Sequence, residues 1–162
     1  MIVFLGLGTN LGNRLFNLEE AISSIDKLQY IKVTLKSKIY ETSPIENLNQ
    51  DNFLNQVIQI ETEIKPLELL KTLKNIENLM GRSENKKKYM PRIIDLDILA
   101  YHDLLFDNQI LSIPHPKIKF RKFILKPWTD ISPDYILPNS KYTIKELLDK
   151  ICHFEDKVKE YT

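Results

Sequence analysis

The chain has a single cysteine, Cys152. An internal disulfide is therefore impossible, and a reducing compartment is expected. His153 follows it, but two such residues with no further cysteine fall short of a zinc ligand set. Charge of one sign is lacking too. The 23 Lys and Arg nearly cancel the 22 Asp and Glu, for a net charge of +1, which argues against nucleic acid as a partner held through overall charge. Long apolar runs are missing. The opening Met1-Ile2-Val3-Phe4-Leu5-Gly6 has no basic residues before it and is too short for a signal peptide or a membrane helix. A soluble, cytoplasmic protein with no membrane partner is expected. No Gly-Lys-Ser/Thr occurs, so there is no P-loop. Gly6-Leu7-Gly8-Thr9-Asn10-Leu11-Gly12 places its third glycine one residue late for a dinucleotide fingerprint. No repeat or low-complexity linker divides the chain. Its 162 residues, 43% of them hydrophobic, read as one domain spanning residues 1–162, with no second catalytic domain within them.

What is present is a regular alternation of strand and helix patterns. Ile2 to Leu5 is a short apolar strand, followed by a turn segment from Gly6 to Asn13. Leu15, Leu18, Ile22, Ile25 and Leu28 recur at helical spacing. Ile31 to Ile39 alternates apolar residues with lysine and threonine as a half-exposed strand, and Phe53 to Glu61 is another, with a Pro- and Asn-containing loop from Ser43 to Asn52 between them. Pro66 opens a helix that Gly81 ends. A lysine-rich stretch, Arg82 to Met90, leads into the strand Pro91 to Leu99. This order is β-α-β-β-α-β, an α+β ferredoxin-like core. A hairpin from Leu104 to Ser112 and two helices, Lys117 to Lys126 and Ile144 to Ile151, are added to it.

The segment Pro91-Arg92-Ile93-Ile94-Asp95-Leu96-Asp97-Ile98-Leu99 carries the strongest chemical signal. Alternation sends Ile94, Leu96, Ile98 and Ala100 one way and Asp95, Asp97 and Leu99 the other. Carboxylates two apart on a strand sit about 7 Å apart. They would repel in a dry site unless they share hard cations such as Mg²⁺, which are held by one or two carboxylates plus substrate phosphates. Arg92 adds a guanidinium suited to phosphate oxygens. Taken alone, the same pattern fits a solvated acidic edge strand. Phe53 and Asn55 share a strand face, an aromatic and an amide able to stack on and hydrogen-bond a planar heterocycle, although a core phenylalanine and a satisfied buried amide fit equally. His115, between two prolines, sits in a rigid turn and can donate to phosphate or simply face water.

Together these segments resemble the 6-hydroxymethyl-7,8-dihydropterin pyrophosphokinase family of folate biosynthesis. The resemblance rests on Gly8-Thr9-Asn10-Leu11-Gly12, Tyr40-Glu41-Thr42, Phe53-Leu54-Asn55, Gly81-Arg82, the Pro91 to Ile98 string, Pro114-His115, Arg121 and Phe123-Ile124-Leu125. It implies transfer of pyrophosphate from ATP to the pterin hydroxymethyl group, with release of AMP. By resemblance, Asp95 and Asp97 bind two Mg²⁺ ions, and Arg82, Arg92, His115 and Arg121 hold phosphate. Arg82, Arg92, Asp95 and Asp97 form the catalytic set. Phe53 and Phe123 sandwich the pterin, whose edge meets Asn55 and the chain from Thr42 and Ser43 to Ile45. Gly8, Tyr89 and Asp95 complete the pterin site, and Glu77, Ile98 and Leu111 fall where the family contacts the nucleoside.

Four positions depart from the family pattern. Met90 stands where a small residue is usual. Glu84 and Tyr89 stand where the closing loop often has arginine and tryptophan, and Ile110 where some members have arginine. The run Lys86 to Lys88 is expected to compensate for Glu84, in a loop expected to be mobile without ligands and to close over them. Two other function classes share parts of the pattern. A two-metal nucleotidyl transferase also uses paired aspartates on such a core, and a ferredoxin-like ligand-binding module would need neither the aspartates nor the cations.

Overall fold

A computed structural model describes residues 1–44, 50–81, 90–151 and 157–162. Strand β1 (Ile2–Thr9) is followed by α1 (Arg14–Asp26), β2 (Ile31–Lys36), β3 (Tyr40–Thr42), β4 (Phe53–Thr62), α2 (Pro66–Leu79) and β5 (Asp95–Tyr101). A small hairpin of β6 (Phe106–Asp107) and β7 (Ser112–Ile113) comes next, then a 3₁₀ turn at Ile118–Phe120, α3 (Lys122–Thr129), α4 (Ile144–Lys150) and β8 (Val158–Glu160). Among the described residues, no helix is long and apolar enough to cross a membrane.

The main sheet is antiparallel. β1 lies between β4 and β5, while β2 and β3 share the other side of β4. With β2 and β3 counted as one interrupted strand, the order is that of the expected β-α-β-β-α-β core. The interruption is built from side chains. Ser37 Oγ accepts the Val57 amide at 3.0 Å and Gln56 Nε2 donates to the Ser37 carbonyl at 2.7 Å, so the chain steps off β4 and rejoins it at Tyr40. The strand expected from Ile31 to Ile39 therefore ends at Lys36.

Two apolar layers hold the sheet. Helices α1 and α2 press Leu18, Ala21, Ile25, Leu69 and Leu73 onto one face, against Val3, Leu5, Leu54, Ile58 and Leu96. Helices α3 and α4 cover part of the other, where Phe4, Val57 and Leu99 meet Leu125, Trp128 and Leu147. Phe4 and Trp128 pack with ring centroids 4.8 Å apart.

Four sequence expectations change. β1 does not turn at Gly6 but runs on to Thr9, because both of its edges are paired through Gly8. The chain leaves the sheet at Asn10, and Gly12 takes a positive φ of 68° before Asn13 caps α1 by accepting the Phe16 amide at 3.1 Å. The Asp95 strand starts at Asp95 itself, and a bulge opposite Phe4/Leu5 reverses its phase, so Ala100 joins Leu99 on the α3/α4 side instead of following Ile98. The helix expected from Lys117 to Lys126 is broken at Arg121, whose extended backbone (φ −120°, ψ 94°) separates the 3₁₀ turn from α3. Strand β8 was not anticipated. It pairs with β3, Tyr40 against Glu160.

Candidate active site

Beyond Phe4, the second face of β1 has no side chains. Gly6 lies between Val57 of β4 and Asp97 of β5, and Gly8 lies between Asn55 and Asp95. A Cβ on Gly8 would stand 3.3 Å from Asn55 Oδ1, and one on Gly6 would stand 3.2 Å from Leu99 Cδ2. The two glycines thus form the floor of a trough with acids on one bank and an amide and an aromatic on the other. The break at Arg121 supplies its roof, bringing Arg121, Phe123 and Ile124 over a cavity of about 550 Å³. That volume is ordinary for a small-molecule site.

The amide bank is held rigidly. Asn55 Nδ2 donates to Thr42 Oγ1 at 2.7 Å, and both residues are buried. Arg14 ties β3 to the start of β4, reaching Glu41 Oε1 at 2.7 Å and the Asn52 carbonyl at 2.8 Å. Asn10, also buried, holds three segments. Its Nδ2 donates to Gln50 Oε1 (3.1 Å) and to the Asp51 carbonyl (3.3 Å). Its Oδ1 accepts the Arg92 amide at 2.9 Å, and its own amide donates to the Arg92 carbonyl at 3.1 Å.

The acidic bank carries the charge. Arg92 Nη1 lies 2.5 Å from Asp95 Oδ2. Loss of surrounding water pushes the Asp97 carboxyl above its ordinary range and the Asp95 charge pushes it the same way, while Lys74, His115 and Arg121 pull it down. Between the two aspartates, Leu96 turns its main chain to the outer edge of the sheet. Glu77 Oε1 accepts the Leu96 amide at 2.6 Å, and Lys74 bridges Glu77 Oε1 (2.7 Å) and the Leu96 carbonyl (3.3 Å). Helix α2 thereby satisfies an edge-strand residue that no strand pairs on that side. His115 is tied to β5 by its amide, which donates to the Leu99 carbonyl at 2.9 Å. Its Nδ1 accepts the Lys117 amide at 3.1 Å, which leaves the proton of the neutral ring on Nε2. Burial lowers its pKa from the usual histidine value, Asp97 opposes that, and Arg121 and Lys117 reinforce it.

Among the described residues, no group of three or more His, Cys, Asp or Glu is placed to hold a metal ion. Two carboxylates are too few for a closed structural site. They suit a hard cation that keeps water and substrate oxygens in its remaining positions.

Of the residues expected at the site, Gly8, Thr42, Ser43, Phe53, Asn55, Arg92, Asp95, Asp97, Arg121 and Phe123 line this one cavity. Phe53 and Phe123 are therefore not buried in separate clusters, the arrangement that would have removed the pocket. His115 is not among the lining residues, although its charge acts on Asp97. Ile98 and Leu111 do not line the cavity either. Their side chains lie in the α1/α2 core, since Ile98 alternates away from Asp97. Glu77 is 1% exposed and holds Leu96. Ile45, Arg82 and Tyr89 lie outside the described residues, as do Glu84, the Lys86 to Lys88 run with its expected loop closure, and the Cys152-His153 pair. Sequence reasoning assigned no role to Gln50, Lys117 or Phe120, which also line the cavity, nor to Asn10 and Lys74, which position it. The one local signal was an asparagine directly after a strand and before a turn glycine at Gly12.

Residues 4–133 match the family model described as 7,8-dihydro-6-hydroxymethylpterin-pyrophosphokinase (HPPK). The chain is 38% identical over 150 residues to the Folic acid synthesis protein fol1 of Schizosaccharomyces pombe, covering 93% of this chain and 20% of that protein. It is 37% identical over 144 residues to the 2-amino-4-hydroxy-6-hydroxymethyldihydropteridine pyrophosphokinase of Aquifex aeolicus, covering 89% and 88%. The chain spans only 20–28% of the longer fungal, slime-mould and plant folate-synthesis proteins that it matches. The crystal structure of wild-type Plasmodium falciparum HPPK-DHPS superposes with a TM-score of 0.72 at 19% identity, over 92% of this chain and 44% of that one, a likeness of fold.

Proposed function

The chain belongs to the 7,8-dihydro-6-hydroxymethylpterin-pyrophosphokinase family, and we propose from that premise that it transfers pyrophosphate from ATP to the hydroxymethyl group of 6-hydroxymethyl-7,8-dihydropterin and releases AMP. One observation carries this reading: the trough floored by Gly6 and Gly8 opens at once on two carboxylates and on an amide flanked by aromatics. A charged phosphate chain and a flat heterocycle need those two banks, in contact with one another.

The bicyclic pterin lies between Phe53 and Phe123, with its edge on Asn55, whose amide orientation Thr42 fixes. An apolar slot with one fixed amide favours a planar ring that can return the hydrogen bonds, because an analogue lacking them leaves Asn55 unpaired. The hydroxymethyl group then points along the glycine floor toward Asp95 and Asp97. ATP phosphates meet Arg92, Arg121 and the Nε2–H of His115. Asp95 and Asp97 hold Mg²⁺, two ions in this reading, which when bound neutralise phosphate charge and ease loss of the hydroxyl proton. Such transfers depend on positioning and charge neutralisation more than on covalent chemistry by the protein. Buried Asn10 and the Leu96 clamp keep the main chain of Arg92 and of the Asp95–Asp97 segment in place.

The test is AMP release from ATP with Mg²⁺. Release that depends on added 6-hydroxymethyl-7,8-dihydropterin supports the reading. Pyrophosphate release with a nucleotide acceptor would favour a nucleotidyl transferase, and binding without turnover would favour a ligand-binding module.

A further inference from the structure

The contact between Arg92 and Asp95 places a cation where the proposed function needs one of a different kind. Arg92 Nη1 is 2.5 Å from Asp95 Oδ2, with both side chains about three-quarters buried. Asn10 holds the Arg92 main chain through both its amide and its carbonyl. The backbone is thus pinned at both polar groups, while the guanidinium sits on a flexible stem against Asp95. Arg92 and Asp95 both line the cavity, on the bank where phosphates are to bind. A guanidinium bonded to Oδ2 takes up that oxygen and sets a positive charge beside Oδ1, so it competes with a divalent ion for the same carboxylate.

We propose that Arg92 is an exchangeable stand-in for the metal at Asp95: its guanidinium occupies the carboxylate until phosphate oxygens draw it away, so that cation and polyphosphate bind cooperatively. This rests on the function proposed above, and adds to it a coupling that neither the fold nor the family assignment supplies. The exchange is balanced in partners. One Arg–carboxylate pair is lost, and one metal–carboxylate bond and one Arg–phosphate pair are gained. Either ligand alone meets the cost of breaking the pair, whereas together they share it, and such coupling is reciprocal. The pinning by Asn10 confines the change to one side chain.

The test reads binding without turnover. Mn²⁺ is titrated into nucleotide-free protein and followed by the spin signal of the free ion, for wild type, Arg92→Gln and Arg121→Gln. Arg121 lines the same cavity, its guanidinium 5.5 Å from the Phe123 ring, so its variant reports the general effect of removing one positive charge. Arg92→Gln should bind Mn²⁺ alone up to about fivefold tighter than wild type, the range for releasing a partly exposed ion pair, and clearly tighter than Arg121→Gln. A non-hydrolysable ATP analogue should tighten Mn²⁺ binding markedly in wild type and much less in Arg92→Gln. Equal or weaker metal affinity in Arg92→Gln, or a gain no larger than that of Arg121→Gln, overturns the proposal. Arg92→Lys keeps the charge but not the planar fork, should fall between, and serves if Arg92→Gln does not fold. The metal-only comparison needs no substrate. A failure of pterin-dependent AMP release would therefore strike the proposed function while leaving the stand-in result readable, and the reverse holds for a failed metal comparison.

Discussion

Strands β1, β4 and β5 send alternate residues to two faces of opposite character. On the α1/α2 face Val3, Leu5, Leu54, Ile58 and Leu96 are fully buried in one apolar cluster. On the other face the same strands are apolar only as far as Phe4, Val57 and Leu99, and then present glycine, asparagine and aspartate. A residue on the first face is chosen for volume, so deleting atoms there should cost stability and spare chemistry. Under the proposed function a residue at the open end of the second face serves a ligand, so changing it should cost chemistry and can even favour the fold. The difference teaches that the trough is a place where this sheet declines to fill its own surface.

Asp97→Asn gives the sharpest break between the faces. Turnover should fall on the order of a thousandfold, the several kcal/mol expected when charge stabilisation of a phosphoryl group is lost. Stability should move the other way. A carboxyl whose pKa is raised on folding favours the folded state most at low pH and loses that advantage as pH rises through its folded value. At neutral pH the charged, desolvated Asp97 therefore costs stability that the isosteric amide does not. AMP release and urea melts at pH 7 check both halves. Near-normal turnover, or a lower midpoint at pH 7, would put Asp97 in the class of ordinary structural residues.

Leu73→Ala is the converse. Leu73 is 0% exposed beneath the first face, and its truncation should cost about 2–5 kcal/mol. The fraction that remains folded should keep its KM for both substrates. A KM shift with unchanged stability would mean that the two faces are not separable.

Asn55→Ala should raise the pterin KM by roughly 5–150-fold, the range for leaving a buried polar partner unpaired, and barely alter that for ATP. The loss includes the bond to Thr42 Oγ1, so the fold should weaken slightly as well. Equal effects on both substrates would move the pterin off this bank.

How much of this was legible beforehand follows the same division. The first face and its helices were readable because burial imposes a period: Leu18, Ile22 and Ile25 recur at helical spacing in α1, and Pro66 and Gly81 mark the ends of α2. Asp95 and Asp97 were readable because they interrupt an otherwise apolar strand. Gly6 and Gly8 were misread as a turn, because local propensity treats glycine as a breaker and cannot know that two strands will pair with it from both sides. The phase slip at Ala100 depends on a bulge in a pairing between residues nearly a hundred positions apart. The Asn10 staple and the Leu96 clamp likewise join segments that carry no mark of one another in the chain. Long-range pairing, rather than composition, hid these features.

Gly8→Ala asks the smallest question and tests the division most directly. Gly8 has an ordinary strand backbone, so no left-handed geometry forbids a side chain, and alanine in a strand interior should stabilise the fold by about 0.5–1 kcal/mol relative to glycine. The added methyl would nevertheless stand 3.3 Å from Asn55 Oδ1 and 4.0 Å from Phe53 Cδ1. The first contact is tight and involves a side chain already fixed by Thr42, so the amide must turn or the methyl must occupy ligand space. Pterin affinity should fall by about threefold to tenfold, comparable to misplacing one polar contact, with ATP affinity nearly unchanged. Calorimetric titration of each substrate beside a urea melt reads all three quantities. A pterin affinity unaffected by the methyl would show that the floor of the trough is not in contact with the ring. The glycines would then serve only the close packing of Leu99 and Asn55, and the open end of the second face would be structural after all.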